Sequence, residues 1–260
     1  MRVLEWGDFL SEGLGGTRPA AMTIGVFDGF HKGHQALLDK VLRLEGDWER
    51  AVVTFQQNPK MLLHPETYHG AVSTLEQKLE SLEETGIDAC ILIDFSGNFC
   101  KLTGSAFLST LAEKGRVKYL AVGTDFRCGY RMSTDAEGVR TIGYPMGVKT
   151  EIVEPILYNG RPVSSSRIRR AIQDGRLSDA FAMLSRPYVI DLRYITPTEV
   201  NGSLRFDGIR QVLPPPGNYW IETFADKEWL EASLSVLSGE SARIEAPRDQ
   251  IPGFFRFRET

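Results

Sequence analysis

The run TIGVFDGFHKGHQALL sets Gly25, Gly29 and Gly33 around Asp28, His31 and His34, at what reads as a turn from a strand into a helix. Glycines let a backbone approach a ligand closely, and the first turn of the following helix offers unpaired N–H groups and a positive dipole end. That combination is an anion site. If the helix begins near His31, the two imidazoles lie three residues apart on one face and can address the same phosphate. A bound phosphate favours the imidazolium whereas the helix start disfavours it, so the sequence leaves the charge open. Two plainer readings stand beside this one. The turn can be a tight connection with solvent-facing histidines, or the pair can hold a metal, although no cysteine or third histidine stands near at ligand spacing.

A second group lies far downstream in VSSSRIRRAI, Val163 to Ile172, where hydroxyls open a helix that carries Arg167, Arg169 and Arg170. Arg161 stands just before it and Arg176 just after. A serine satisfies orphan N–H groups at a helix start, but the macrodipole alone would send arginines to the opposite end. Cations at the start therefore point to an anionic ligand, and an arginine fork suits phosphate oxygens, including those of a leaving pyrophosphate. Transfer of phosphoryl or nucleotidyl groups needs mostly positioning and charge stabilisation of this kind. The alternative is an ordinary serine cap followed by a solvated basic face.

The elements that would position these groups follow from hydrophobic pattern. Met22 to Phe27, Ala51 to Phe55, Ala89 to Phe95, Val117 to Val122 and Val148 to Val153 read as buried strands. Gln35 to Leu44 and Leu75 to Glu84 have helical periodicity, with Ser73 and Glu76 spaced as a capping box. Strand and helix in alternation predict an α/β fold, a Rossmann-like parallel sheet with right-handed crossovers and ligands bound beyond the carboxyl ends of the strands. Two further helices are expected at Ser165 to Gln173 and Leu177 to Leu184. Short strand-like pieces broken by Pro and Gly come after them, around Pro214, Pro215, Pro216 and Gly217. The expected domains are 1–185 and a small, mostly β unit at 186–260.

Composition narrows the class. Of 260 residues, 42% are hydrophobic, and 30 Lys+Arg against 34 Asp+Glu leave a net charge of -4. No global basic field draws in nucleic acid or an anionic membrane, so anions must be bound locally. No apolar run approaches the roughly 20 residues of a membrane-spanning helix, and the N-terminus lacks a signal-like pattern, which predicts a cytoplasmic protein. Cys90, Cys100 and Cys128 are odd in number and widely spaced, as expected of ordinary thiols.

The segment GVFDGFHKGH resembles the signature of the HxGH nucleotidylyltransferase superfamily, and its FDGxHxGH pattern is similar to that of the bacterial FAD synthases. The resemblance implies that His31 and His34 sit over the phosphates of ATP. It also matches Ser165, Ser166 and Arg169 to the triphosphate-binding (I/V)SSTxIR element, with Ser166 where Thr is usual. VGTDFRCGYRMS looks like the GxDFRFG segment, which places Asp125 and Arg127 near the nucleotide unless they form only a loop ion pair. At VVTFQQNPKMLL many relatives carry Pro-His-Pro, whereas this chain has Gln57, Asn58 and Pro59, so that histidine's role does not transfer.

The implied activity is transfer of AMP from ATP to FMN, with Mg²⁺ on the triphosphate and its protein ligands unknown. Catalysis falls to His31, His34 and Arg169, and nucleotide binding to Gly25, Phe27, Asp28, Gly29, Asp125, Arg127, Ser165 and Ser166. RPYVI matches the junction that in the family leads into a riboflavin kinase barrel. DLRYITPTEVNGSLRFDGIRQ then offers only isolated glycines where the kinase needs a Gly-rich loop, so a degenerate module without kinase activity is expected. Another enzyme of the superfamily, or a flavin or nucleotide sensor without activity, remains open. No nucleic-acid or membrane partner is expected, and the oligomeric state is undetermined.

Overall fold

Strands that are apolar along their whole length must be covered on both faces, and four of the five expected runs accordingly sit inside a parallel sheet, whereas the run at Val148 to Val153 forms its edge and is only half-buried, as its Lys149, Thr150 and Glu151 require. The computed structural model describes residues 1–95, 99–225, 227–245 and 251–258. Its first sheet contains β1 (Arg2–Glu5), β2 (Ala20–Ile24), β3 (Glu49–Phe55), β4 (Ala89–Ile93), β5 (Val117–Gly123) and β6 (Lys149–Val153). Their order is β1-β4-β3-β2-β5-β6, and every neighbouring pair is parallel. The connections carry α1 (Trp6–Glu12), α2 (Lys32–Leu42), α3 (Pro59–Leu63), α4 (Leu75–Glu83), α5 (Gly104–Lys114) and α6 (Ala136–Gly143). Met22, Ile24, Val53, Ile91, Leu120 and Val122 of the strands join Phe9, Phe107, Leu111 and Val139 of the helices in one core.

Several boundaries depart from expectation for local reasons. β2 stops at Ile24 because Phe27 adopts a φ of 53°, which no strand tolerates. α2 begins at Lys32, so His31 lies in the turn before the helix and the shared-face argument does not apply to it. The capping box falls one residue later than Ser73 and Glu76. Thr74 Oγ1 accepts from the Gln77 N–H at 3.2 Å and Gln77 Oε1 accepts from the Thr74 N–H at 3.0 Å. Ser73 Oγ instead accepts from the Gly29 N–H at 2.9 Å.

By its internal contacts the chain divides into unit 1, Met1–Phe27, Gly33–Pro65 and Leu79–Ile156, and unit 2, Asp28–Lys32, Glu66–Lys78 and Leu157–Thr260. This is not the linear division at 185/186. Unit 2 holds α7 (Ser165–Gln173) and α8 (Leu177–Leu184), both at their expected bounds, together with β7 (Val189–Asp191), β8 (Thr198–Val200), β9 (Ser203–Asp207), β10 (Gly217–Ala225), β11 (Glu228–Ser238), β12 (Ser241–Glu245) and β13 (Phe254–Phe257). These seven strands form an antiparallel sheet in the order β7-β13-β10-β11-β12-β9-β8. The apolar faces of α7 and α8 explain the division. Ile168, Ile172, Phe181 and Leu184 share one core with Tyr188, Phe206, Ile221, Leu234, Ile244 and Phe255 of the β region.

Candidate active site

In unit 1 the chain leaves β2 through α2 to β3 on one side, and leaves β5 through α6 to β6 on the other. The connections thus diverge between β2 and β5, and a crevice outside their carboxyl ends is the expected ligand position. A cavity of about 400 Å³ lies at these strand ends, walled by Ile24, Phe55, Phe95, Phe99, Phe107 and Phe126. Edge-to-face contacts tie the wall together, with Phe99 centred 5.7 Å from Phe107 and 6.3 Å from Phe55. Arg127 also lines the cavity. Asp125 and Arg127 are both exposed, and among the described residues no ion pair joins them. Cys128, half-buried in the same wall, has its thiol pushed up to about 11 by burial.

The unit 1 ends of the histidine segment are tightly built. Gly25 donates its N–H to the Val53 carbonyl at 3.1 Å, and a Cβ on Gly25 would come 3.0 Å from the Phe27 ring. That ring is fully buried and lies 4.9 Å from the imidazole of His34, which occupies the first turn of α2 and is itself 8% exposed. His34 is therefore not the solvent-facing histidine of the plainer reading.

In unit 2 the same segment meets the arginine segment directly. Asp28 Oδ2 accepts from Arg169 Nη2 at 2.6 Å, with both side chains less than a tenth exposed. Asp28 Oδ1 accepts from the Val72 and Ser73 N–H groups at 2.8 and 3.0 Å, and the Asp28 carbonyl accepts from Ser165 Oγ at 2.8 Å. Arg169 Nε donates to the Gly70 carbonyl at 2.7 Å, and its guanidinium stands 5.2 Å from the centre of the Tyr68 ring. A guanidinium has five N–H donors, and these bonds use two of them. Gly29 has a φ of +86°, and a Cβ there would overlap Val72 Cγ1 at 2.6 Å, so the position requires glycine.

Burial, outweighing a backbone hydrogen bond that acts the other way, sets the state of His31, which is 5% exposed and has its pKa lowered to about 4. The imidazole is neutral at physiological pH and retains one N–H donor. Burial pushes the Tyr68 hydroxyl up to about 12, with the Asp28 carboxylate adding to the shift and Arg169 opposing it. Ser164 caps α7 by accepting from the Arg167 N–H at 3.3 Å, which leaves Ser165 for Asp28 and Ser166 exposed on the first turn. Arg170 is exposed, so the solvated face exists, but Arg169 is not part of it.

Sequence reasoning missed Tyr68, Gly70, Arg186 and the aromatic cavity. Arg186, in the RPYVI junction, donates to the Gly29 carbonyl at 3.1 Å. The density of phenylalanine just beyond β4, at Phe95 and Phe99, was the available signal for the cavity. Asn58 Oδ1 accepts from the Lys60 N–H at 3.1 Å and caps α3.

Residues 16–167 match the model of the family described as FAD synthetase. The chain belongs to the FAD synthetase family. The match contains the histidine segment and ends two residues before Arg169. A curated relative from Escherichia coli strain K12, a bifunctional riboflavin kinase/FMN adenylyltransferase, is 33% identical over 210 residues, covering 77% of this chain and 67% of its own. An FAD synthetase from Listeria monocytogenes is 28% identical over 210 residues, covering 80% of this chain and 82% of its own. Among solved structures, a macrolide-efflux protein from Streptococcus pneumoniae superposes over 100% of this chain and 92% of its own, with a TM-score of 0.83 and 23% identity. A pantoate-beta-alanine ligase from Francisella tularensis aligns over 90% of this chain with a TM-score of 0.50 and 12% identity. At these identities the structures share the fold alone, and the first does so through the C-terminal sheet that the FAD synthetase match does not reach.

Proposed function

We propose that this chain is an FMN adenylyltransferase. A phosphate oxygen of FMN attacks the α-phosphorus of ATP, the new P–O bond completes FAD, and the bond from the α-phosphorus to the bridging oxygen breaks to release pyrophosphate. One observation carries the reading beyond family membership. Two segments 141 residues apart, each with the residue types of a phosphate site, are joined through Asp28 and Arg169 in one buried cluster.

In this reading the N–H groups Arg169 does not use for Asp28 and Gly70 hold the leaving pyrophosphate, and the backbone N–H groups at Ser165 and Ser166 mark the start of α7 as its seat. His31 acts as a neutral donor to a phosphate oxygen, and His34, held against Phe27, supplies the second imidazole. Gly25, Phe27, Gly29, Asp125 and Arg127 are assigned to nucleotide binding by their match to the family's segments. The aromatic cavity of unit 1 has the apolar walls a planar isoalloxazine ring requires. ATP enters as its Mg²⁺ complex, the ion neutralising the triphosphate as part of the substrate. Among the described residues no group of three or more His, Cys, Asp or Glu gathers to hold a metal.

Riboflavin kinase activity is absent in this reading. The stretch that would need a Gly-rich loop instead forms β8 and β9, an antiparallel hairpin closed by Asn201 and Gly202 with φ of 53° and 77°. No helix among the described residues is long and apolar enough to cross a membrane, and the proposed reaction belongs to the cytoplasm. The test incubates the protein with MgATP and either FMN or riboflavin, and with MgCTP and FMN. FAD and pyrophosphate formed only from FMN and ATP is the expected result. Product from CTP alone would reassign the enzyme within the superfamily, and FMN formed from riboflavin would refute the lost kinase.

A further inference from the structure

Gln211 belongs to the β-rich end of unit 2, yet it is 1% exposed and its amide is fully engaged with segments that reach the Asp28 cluster. Its Oε1 accepts from the Asp191 N–H at 2.7 Å, while Nε2 donates to the carbonyls of Val72 and Val189, each at 3.0 Å. The backbone beside it is bridged to the same segment: Ala71 donates to the Arg210 carbonyl at 3.0 Å and accepts from the Val212 N–H at 2.9 Å. The approach leaves no slack, since a Cβ on Gly70 would lie 3.0 Å from both the Arg210 oxygen and the Val212 nitrogen.

The segment held in this way does two things for the cluster. The N–H groups of Val72 and Ser73 fix one oxygen of Asp28, and the Gly70 carbonyl fixes Nε of Arg169. A second tie, from Thr74 Oγ1 to Asp191 Oδ2 at 3.1 Å, secures the far end of the segment to β7. An amide suits the central position, because only a group with one acceptor and two donors meets an N–H and two carbonyls at once.

We propose that Gln211 is a positioning residue for the phosphate-handling pair: by clamping Gly70–Ser73 to the C-terminal sheet it sets where Asp28 holds the Arg169 guanidinium. The proposal assigns the sheet a part in the active site without any contact to substrate. Its kinetic readout rests on the adenylyl-transfer reading above.

The test is a double-mutant cycle of Gln211→Met and Arg169→Lys, read in the full chain by calorimetric titration with inorganic pyrophosphate and by FMN adenylylation, well below the unfolding midpoint. Gln211→Met should weaken pyrophosphate binding and turnover about tenfold in the native background and less than about twofold in Arg169→Lys, because the group it positions has already been changed. Equal losses in both backgrounds would overturn the proposal, since a purely structural defect is additive. Gln211→Glu, nearly the same size and keeping the acceptor for Asp191, takes the place of the methionine variant if that one does not fold. Hydrogen exchange on the native chain tests the coupling without substitution. Pyrophosphate should raise protection of the Val72, Ser73 and Asp191 amides together, and no change at Asp191 would also overturn it. If the native chain binds pyrophosphate but makes no FAD, the adenylyl-transfer reading fails while the titrations still judge Gln211.

Discussion

His31 shows how burial fixes a chemical role that residue type alone leaves open. Its pKa, lowered from 6.5 to about 4 by desolvation, means the unfolded chain binds a proton that the folded chain refuses between those values. Stability contributed by the neutral form is therefore complete above about 6.5 and is lost as pH falls toward about 4, a loss of roughly 3 kcal/mol. His31→Gln should flatten this part of the curve in urea unfolding at pH 7.5 and 4.5; an unchanged pH dependence would place the buried proton acceptor elsewhere. Gly29→Ala forces a left-handed backbone on alanine and a methyl into Val72, and should cost about 1–3 kcal/mol in the same assay. The two segments that bring Asp28, Ser165 and Arg169 together stand out in the sequence by their glycines, histidines and clustered arginines and by the family they resemble. Gln211 does not, because its partners are backbone groups that every residue carries and only tertiary structure brings to it.

At the scale of elements, continuous apolar runs made the four central strands legible, and amphipathic pattern placed α7 and α8 to the residue. β1 escaped notice because it is four residues long and mostly exposed at the edge of its sheet, and short edge strands carry little periodic signal. The cavity was illegible for a different reason. Its walls come from the ends of β2 and β3, Phe95 and Phe99 beyond β4, α5 and the loop after β5, so no single stretch of sequence contains it. Phe126→Ala removes one wall and should raise KM for FMN about tenfold while leaving KM for ATP within about twofold, as expected for lost aromatic contact area. A matching rise in both constants would argue that the loop shapes the nucleotide seat instead. The Asn58 cap on α3 explains how this chain uses the position where many relatives carry histidine: a short helix is started there.

For the whole molecule, the core shared by α7, α8 and the antiparallel sheet predicts the outcome of truncation. A fragment ending at 185 would keep both helices but lose Tyr188, Phe206, Ile221, Leu234 and Phe255 from their packing, together with the Gln211 clamp. It should be aggregation-prone and inactive, and a soluble, fully active fragment in size-exclusion and FAD-synthesis assays would show that the sheet is dispensable. The change from helical to strand-like pattern after Leu184 marks where secondary structure changes and not where packing stops. The polypeptide passes between its two units five times, at 27/28, 32/33, 65/66, 78/79 and 156/157. A chimera that exchanges only the stretch after Ile156 with a homologue would inherit foreign partners for Asp28–Lys32 and Glu66–Lys78, so recombination at a single crossover point cannot trade one unit as a cassette. Drift in the three pieces must instead be concerted, with substitutions in the short N-terminal inserts tracking those in the distant sheet.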